Sequence, residues 1–137
     1  MERVIADTGF VVALGNRSDQ RHADVYPVYR QYPCILLPQV VLVEVAYLIG
    51  RDAGIVTVAN FLQGLPKSRF ELISATEVDI ARTANLLAQY ADSKVDFVDA
   101  CVMAIAERLQ IVTVLTIDQR DFRLVRPIHC EGFTLRP

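Results

Sequence analysis

The sequence predicts an α/β fold: one domain with a central parallel β-sheet flanked by helices on both faces. Three observations predict it. Short, almost wholly apolar runs such as VIA, CILL and IVTVLT read as strands buried on both sides. Longer helical patterns stand between them, and strands alternating with helices build parallel sheets. The chain has 137 residues, 53% of them apolar, which is enough for a single core. No repeat, low-complexity tract or linker divides residues 1–137.

In order along the chain, RVIAD reads as a short buried strand ending at Asp7. TGFVVALGN follows as a short helix or an extended segment. SDQRHADVYPVYRQY has a helical pattern, with Ser18 or Asp19 as its cap and Pro27 expected to kink it. CILL is a strand stopped by Pro38. QVVLVEVAYLIG suits strand or helix, because valine runs serve both. Its length and Gly50 favour a helix that Pro38 opens at the first turn. AGIVTVANFLQGL is a further helix closed by Gly64, and FELI a short strand. SATEVDIARTANLLAQYA is the clearest amphipathic helix, with Ser74 and Glu77 at capping-box spacing and Val78, Ala81 and Leu86 on its stripe. DFVDACVMAIAERL is apolar nearly all round until Glu107 and Arg108, so it is a buried helix. IVTVLT and FTL are late strands.

Composition narrows the function classes. No segment has the apolar length of a membrane span, and the start MERVIADTGF lacks that of a signal peptide, so a cytoplasmic protein is expected. Cys34, Cys101 and Cys130 are scattered with no CxxC pair, which argues against a zinc site and for plain thiols, with Cys101 packed in the core. His22 and His129 stand apart from the acids and read as surface residues. A net charge of −2 argues against bulk attraction to nucleic acid.

The acids carry the chemistry. Asp7 and Asp118 each follow the C-terminal end of a predicted strand, the edge where doubly wound sheets bind ligands. Asp96 and Asp99 open the buried helix on one face. Glu44 is the only charge between Pro38 and Arg51. Each has a structural reading as well. Asp7 can cap the segment after it, Asp96 can be an N-cap, Asp99 can sit in a first turn, and Asp118 and Asp121 can shape a turn. Taken together, buried carboxylates converging on one edge would repel one another or take up protons. A hard divalent cation relieves that repulsion, and oxygen donors suit Mg²⁺ or Mn²⁺.

IADTG, the lone glutamate in PQVVLVEVAYL, DFVDACVMAIAERL and VLTIDQRDF resemble the four acid motifs of PIN-domain nucleases. The order and spacing are similar to those of the short VapC-like toxins of type II toxin–antitoxin systems, from Arg3 to Phe122. The resemblance implies a central parallel sheet between helices and makes QVVLVEVAYLIG a helix. It implies a metal-dependent endoribonuclease in which Asp7, Glu44, Asp99 and Asp118 are both catalytic and metal-binding. Asp96 matches an acid present in part of the family and is an auxiliary ligand. Thr8 and Thr116 match polar positions beside the acids. One or two Mg²⁺ or Mn²⁺ ions, products with 5′-phosphate and 3′-hydroxyl ends, an RNA substrate, a homodimer and a small antitoxin covering the groove are all implied. The chain departs from the pattern before Glu44, where Val41, Leu42 and Val43 replace the hydroxyl often found there.

Lys67, Arg69, Arg82, Lys94, Arg120 and Arg123 are candidates to hold flanking phosphates, or ordinary surface charges. So modest a basic complement suits a short or structured RNA better than a long duplex. The apolar helices VVLVEVAYLI and GIVTVANFL carry enough hydrophobic surface for a partner as well as a core. Rival readings are weaker. A haloacid-dehalogenase-type phosphatase needs a second Asp where Gly9 stands, and a receiver domain needs a Lys after the late strand. The alternative from another class is a catalytically inactive PIN-like module that binds RNA or protein; the complete acid set argues against it.

Overall fold

The computed structural model describes residues 2–137. They form β1 (Val4–Ala6), α1 (Thr8–Gly15), α2 (His22–Gln31), β2 (Ile35–Pro38), α3 (Gln39–Ala53), α4 (Ile55–Gly64), β3 (Phe70–Ile73), α5 (Glu77–Gln89), α6 (Phe97–Leu109), β4 (Thr113–Leu115), α7 (Arg120–Leu124) and β5 (Thr134–Arg136). Single 3₁₀ turns follow α4 (Leu65–Lys67) and α5 (Ala91–Ser93).

All strand pairs are parallel, in the order β3-β2-β1-β4-β5. The chain first moves outward from β1 to β3, then crosses back to β4 on the other side of β1. Because parallel crossovers are right-handed, the two directions put their helices on opposite faces. The main helix contacts agree, α1 with α2 and α3, α3 with α4, and α5 with α6, while α3 and α6 also meet. β1 and β4, fully buried, lie in the middle with Ile5 opposite Val114 and Ala6 opposite Leu115. The switch in direction therefore falls between β1 and β4, and the C-terminal ends of these strands are where a doubly wound sheet has its ligand crevice.

The predicted fold class and every predicted element are present, and TGFVVALGN and QVVLVEVAYLIG are both helices. Several local expectations are corrected. α2 begins at His22, and Asp19 Oδ1 instead accepts from the Arg21 amide at 2.8 Å, shaping the turn before it. α2 continues through Pro27. Pro38 ends β2 and sits at the N-cap of α3 rather than inside its first turn. Gly50 does not end α3. The helix stops at Gly54, whose φ of +91° favours glycine.

The capping box of α5 uses Thr76 and Asp79, not Ser74 and Glu77: Thr76 Oγ1 accepts from the Asp79 amide and Asp79 Oδ2 from the Thr76 amide. That register buries Asp79, Thr83 and Leu86 and leaves Val78 70% exposed. Cys101 is in the core as expected. His22 and His129 are half-buried rather than surface residues, each with a ring nitrogen on a main-chain carbonyl, of Ala13 and Ile111 respectively. Among the described residues no helix is long and apolar enough to cross a membrane.

Candidate active site

Asp7 is the residue at which β1 becomes α1. Its amide completes the β1–β4 ladder by donating to the Leu115 carbonyl at 3.0 Å. Its side chain occupies the N-cap position of α1 yet makes no capping hydrogen bond. Instead Oδ2 accepts from Thr116 Oγ1 at 3.1 Å, one residue beyond β4, while the buried Oδ1 has no donor. Thr116 is fully buried, and its hydroxyl also reaches the Asp118 carbonyl at 3.0 Å. Its single proton serves one of the two at a time.

The half-buried carboxyl of Asp99, in the first turn of α6, comes against that of Asp7. Two carboxylates have no donor between them, so the contact is a hydrogen bond only when a proton is shared. Burial raises the pKa of Asp99 to about 10, helped by the negative charge of Asp7, contact with Asp121 and the charge of Asp96. Burial likewise raises Asp7 to about 6; the Thr8 amide, Asp99 and Thr116 pull it back, and the charge of Glu44 adds to the rise. Near neutral pH the pair holds one proton between its two members, and it rests mainly on Asp99.

Glu44, half-buried on α3, is close enough to Asp7 to raise it, and Glu44 Oε1 accepts from Thr8 Oγ1 at 2.8 Å. Asp96 is the N-cap of α6, where its Oδ2 accepts from the amides of Val98 and Asp99 at 3.1 and 3.3 Å. Asp118 enters by its main chain; its carboxylate turns to the Arg120 amide at 3.3 Å. The crevice thus brings Asp7, Asp99 and Glu44 together, with Asp96 at the edge, and does not bring the Asp118 carboxylate into contact with them.

One residue of the crevice was read from sequence only as a cap or turn residue. Asp121, 6% exposed, touches Asp99 and accepts from the Asp96 amide at 3.0 Å and Arg120 Nη1 at 2.6 Å. Its place two residues after Gln119 in a polar turn gave no sign of burial.

Among the described residues no three His, Cys, Asp or Glu side chains are placed to hold a metal ion as they stand. The chemistry nonetheless fits a hard cation: every candidate donor is a carboxylate, and Asp7 Oδ1 is buried without a proton donor. The candidate phosphate anchors fare unevenly. Arg82 pairs with Glu107, Arg69 holds the carbonyls of Arg30 and Tyr32, Arg120 holds Asp121 and the Ser93 carbonyl, and Arg123 holds Gln119.

Residues 4–126 match the PIN domain family. The chain is 27% identical over 135 residues to ribonuclease VapC26 of Mycobacterium tuberculosis, an alignment spanning 98% of this chain and all of that one. Its fold is similar to that of M. tuberculosis VapC20, a sarcin–ricin-loop-cleaving toxin, with a TM-score of 0.82, 21% identity and coverage of 98% and 99% of the two chains. It is also similar to a chain of Rickettsia felis VapBC2 bound to promoter DNA, with a TM-score of 0.71, 14% identity and coverage of 98% and 97%.

Proposed function

The chain belongs to the PIN-domain family, and from that premise we propose that it is a divalent-metal-dependent endoribonuclease, the toxin of a toxin–antitoxin pair. The observation that carries the metal dependence is the Asp7–Asp99 pair: two carboxyls against each other at the sheet's switch point, with one buried oxygen lacking a donor. Asp7, Glu44 and Asp99 would hold Mg²⁺ or Mn²⁺, with Asp96 auxiliary; Asp118 would join them by turning its carboxylate from the Arg120 amide. Such an ion supplies a water of lowered pKa and neutralises charge at the scissile phosphodiester.

The chain's own part is positional. Thr116 fixes Oδ2 of Asp7 and Thr8 fixes Oε1 of Glu44, so neither acid has to be ordered anew when it coordinates. Asp99 must release its proton to act as a ligand, which couples binding to pH.

The proposed substrate is a structured RNA. VapC20 is a sarcin–ricin-loop-cleaving toxin, and the ion pairs that hold Arg82 and Arg120 within the fold reduce the charge free to grip a long duplex. The proposed partners are a small antitoxin and a second copy of the chain. Val43 and Tyr47 on α3 and Ile55 and Val56 on α4 are each more than two-thirds exposed, on the helices whose sequence already suggested surplus apolar surface. The test is cleavage of a structured RNA with Mn²⁺, comparing the wild type with Asp7→Asn and Asp99→Asn. Both variants are expected to lose cleavage; equal cleavage by all three would mean a contaminating nuclease and overturn the proposal.

A further inference from the structure

Asp121 is more buried than Asp99 and joins its own turn to the start of α6, 25 residues earlier in the sequence. Its Oδ2 accepts from the Asp96 amide at 3.0 Å, where α6 begins. Asp96 in turn caps the amides of Val98 and Asp99, so the start of α6 is held from both sides. Its Oδ1 takes Arg120 Nη1 at 2.6 Å, and Arg120 Nη2 continues to the Ser93 carbonyl, in the turn before α6. The Arg120 amide donates to Asp118 Oδ1, and the Asp118 carbonyl faces Thr116, which serves Asp7. A set of polar contacts therefore links the β4–α7 turn to the first turn of α6, and Thr116 connects it to Asp7 whenever its one proton points there. α6 also packs on α7.

A carboxylate confined to shaping α7 would have no reason to reach Asp96. α7 has only five residues, and Asp121 sits inside it, not before it. The partners of Asp121 are the start of the helix that carries Asp99 and an arginine spanning to the preceding turn.

We infer that Asp121 is a positioning residue: with Arg120 it clamps the start of α6, setting Asp99 against Asp7 for metal binding. The inference rests on the nuclease reading. Asp121 acts through Asp96 and Asp99 and is not itself a ligand.

The test uses the full chain with Asp121→Ala and Asp121→Asn. Asparagine can still accept from the Asp96 amide but loses the ion pair with Arg120. Mn²⁺ affinity is measured without RNA, by the free-ion electron paramagnetic resonance signal, and kcat and KM are measured separately on the RNA. For Asp121→Ala the expected result is Mn²⁺ binding weakened about 10- to 100-fold and kcat reduced to a similar degree. KM for RNA should stay near the wild-type value. Asp121→Asn should lie between Ala and wild type and recover most of its rate at saturating Mn²⁺.

Folded variants with wild-type Mn²⁺ affinity and kcat, differing only in melting temperature, would overturn the inference. So would loss of folding in both variants, which would make Asp121 a structural residue. A wild type that neither binds Mn²⁺ nor cleaves RNA would instead bring down the nuclease reading and this inference with it.

Discussion

The molecule buries carboxylates in two places and treats them in opposite ways. On the α5–α6 face, Asp79 and Glu107 are 1% and 5% exposed, and each meets an arginine. Arg108 Nε and Nη2 fork onto Asp79, and Arg82 Nε and Nη2 onto Glu107 at 2.7 and 3.1 Å. Glu107 also accepts from the Ile128 amide, and Asp79 closes the capping box. Burial would raise Asp79, but Arg108 and the Thr76 amide outweigh it and hold the carboxyl below its usual range. In the crevice at the ends of β1 and β4, acids face acids, both central pKa values are raised, and a buried oxygen goes without a donor. The same chain neutralises buried acids with arginine on one face. Its failure to do so at Asp7 and Asp99, although Asp121 beside them has Arg120, is therefore informative, because unmet polar groups concentrate where a ligand completes them.

Substitution of an arginine on the ion-paired face has the largest expected effect. Arg82→Ala strands Glu107, whose side chain is 4% exposed, and removing one partner of a buried pair costs about 3 kcal/mol. The melting temperature should fall by about 10 °C in a chain of this size. RNA cleavage per folded molecule should persist, since Arg82 lies on the face opposite α3 and touches none of the crevice acids. A fall in cleavage without a fall in melting temperature would place Arg82 in RNA binding instead.

Asp99→Asn sharpens the contrast by moving stability the other way. The folded pKa values of Asp7 and Asp99 lie above the ordinary aspartate value. The pair's contribution to stability is therefore full below about pH 4 and is lost as pH rises through 6 and on towards 10. The substitution removes one titrating group, and the new side-chain amide can donate permanently to Asp7. With metal chelated, the variant should melt a few degrees above wild type at pH 8, and the gap should close towards pH 4. Adding Mn²⁺ should raise the wild-type melting temperature more at pH 8 than at pH 6, because binding displaces the proton. A variant less stable than wild type at pH 8 would mean that burying the Asp7–Asp99 pair carries no such cost.

The two regions were not equally legible in the sequence. The strands and the buried α6 could be read because unbroken apolar runs leave few alternatives, and the placement of Asp7 and Asp99 followed from strand end and helix start. The proposal that they hold a metal rested on the gathering of carboxylates and on family resemblance, not on periodicity. The ion-paired face was missed. Glu107 and Arg108 looked like the solvated end of α6, and nothing local shows that Arg82, 25 residues earlier, reaches Glu107. The capping box was misplaced by two residues because Ser74 and Glu77 satisfy the same spacing as Thr76 and Asp79. Only the arginine on the neighbouring helix selects between them. Asp121 was passed over for the same reason: its partners are set by the packing of α7 on α6. Side-chain pairing between elements is a tertiary fact with no periodic trace.

The smallest expected effect concerns Thr116, the hinge between strand and crevice. Its hydroxyl stabilises the charged form of Asp7 through Oδ2, so Thr116→Val leaves the proton of Asp99 as the only side-chain donor to Asp7. Valine matches threonine in shape and suits a buried position beyond β4, so the stability change should stay near 1 kcal/mol, about the net worth of one hydrogen bond. The direction at Asp7 is fixed: loss of a donor to the anion raises its pKa further. Mn²⁺ must then compete with a more tightly held proton, so the pH at half-maximal cleavage should move upward and Mn²⁺ affinity at pH 7 should weaken. At higher pH the difference from wild type should disappear. A uniform loss of rate at every pH, with the midpoint unmoved, would show that Thr116 touches the RNA rather than tuning Asp7.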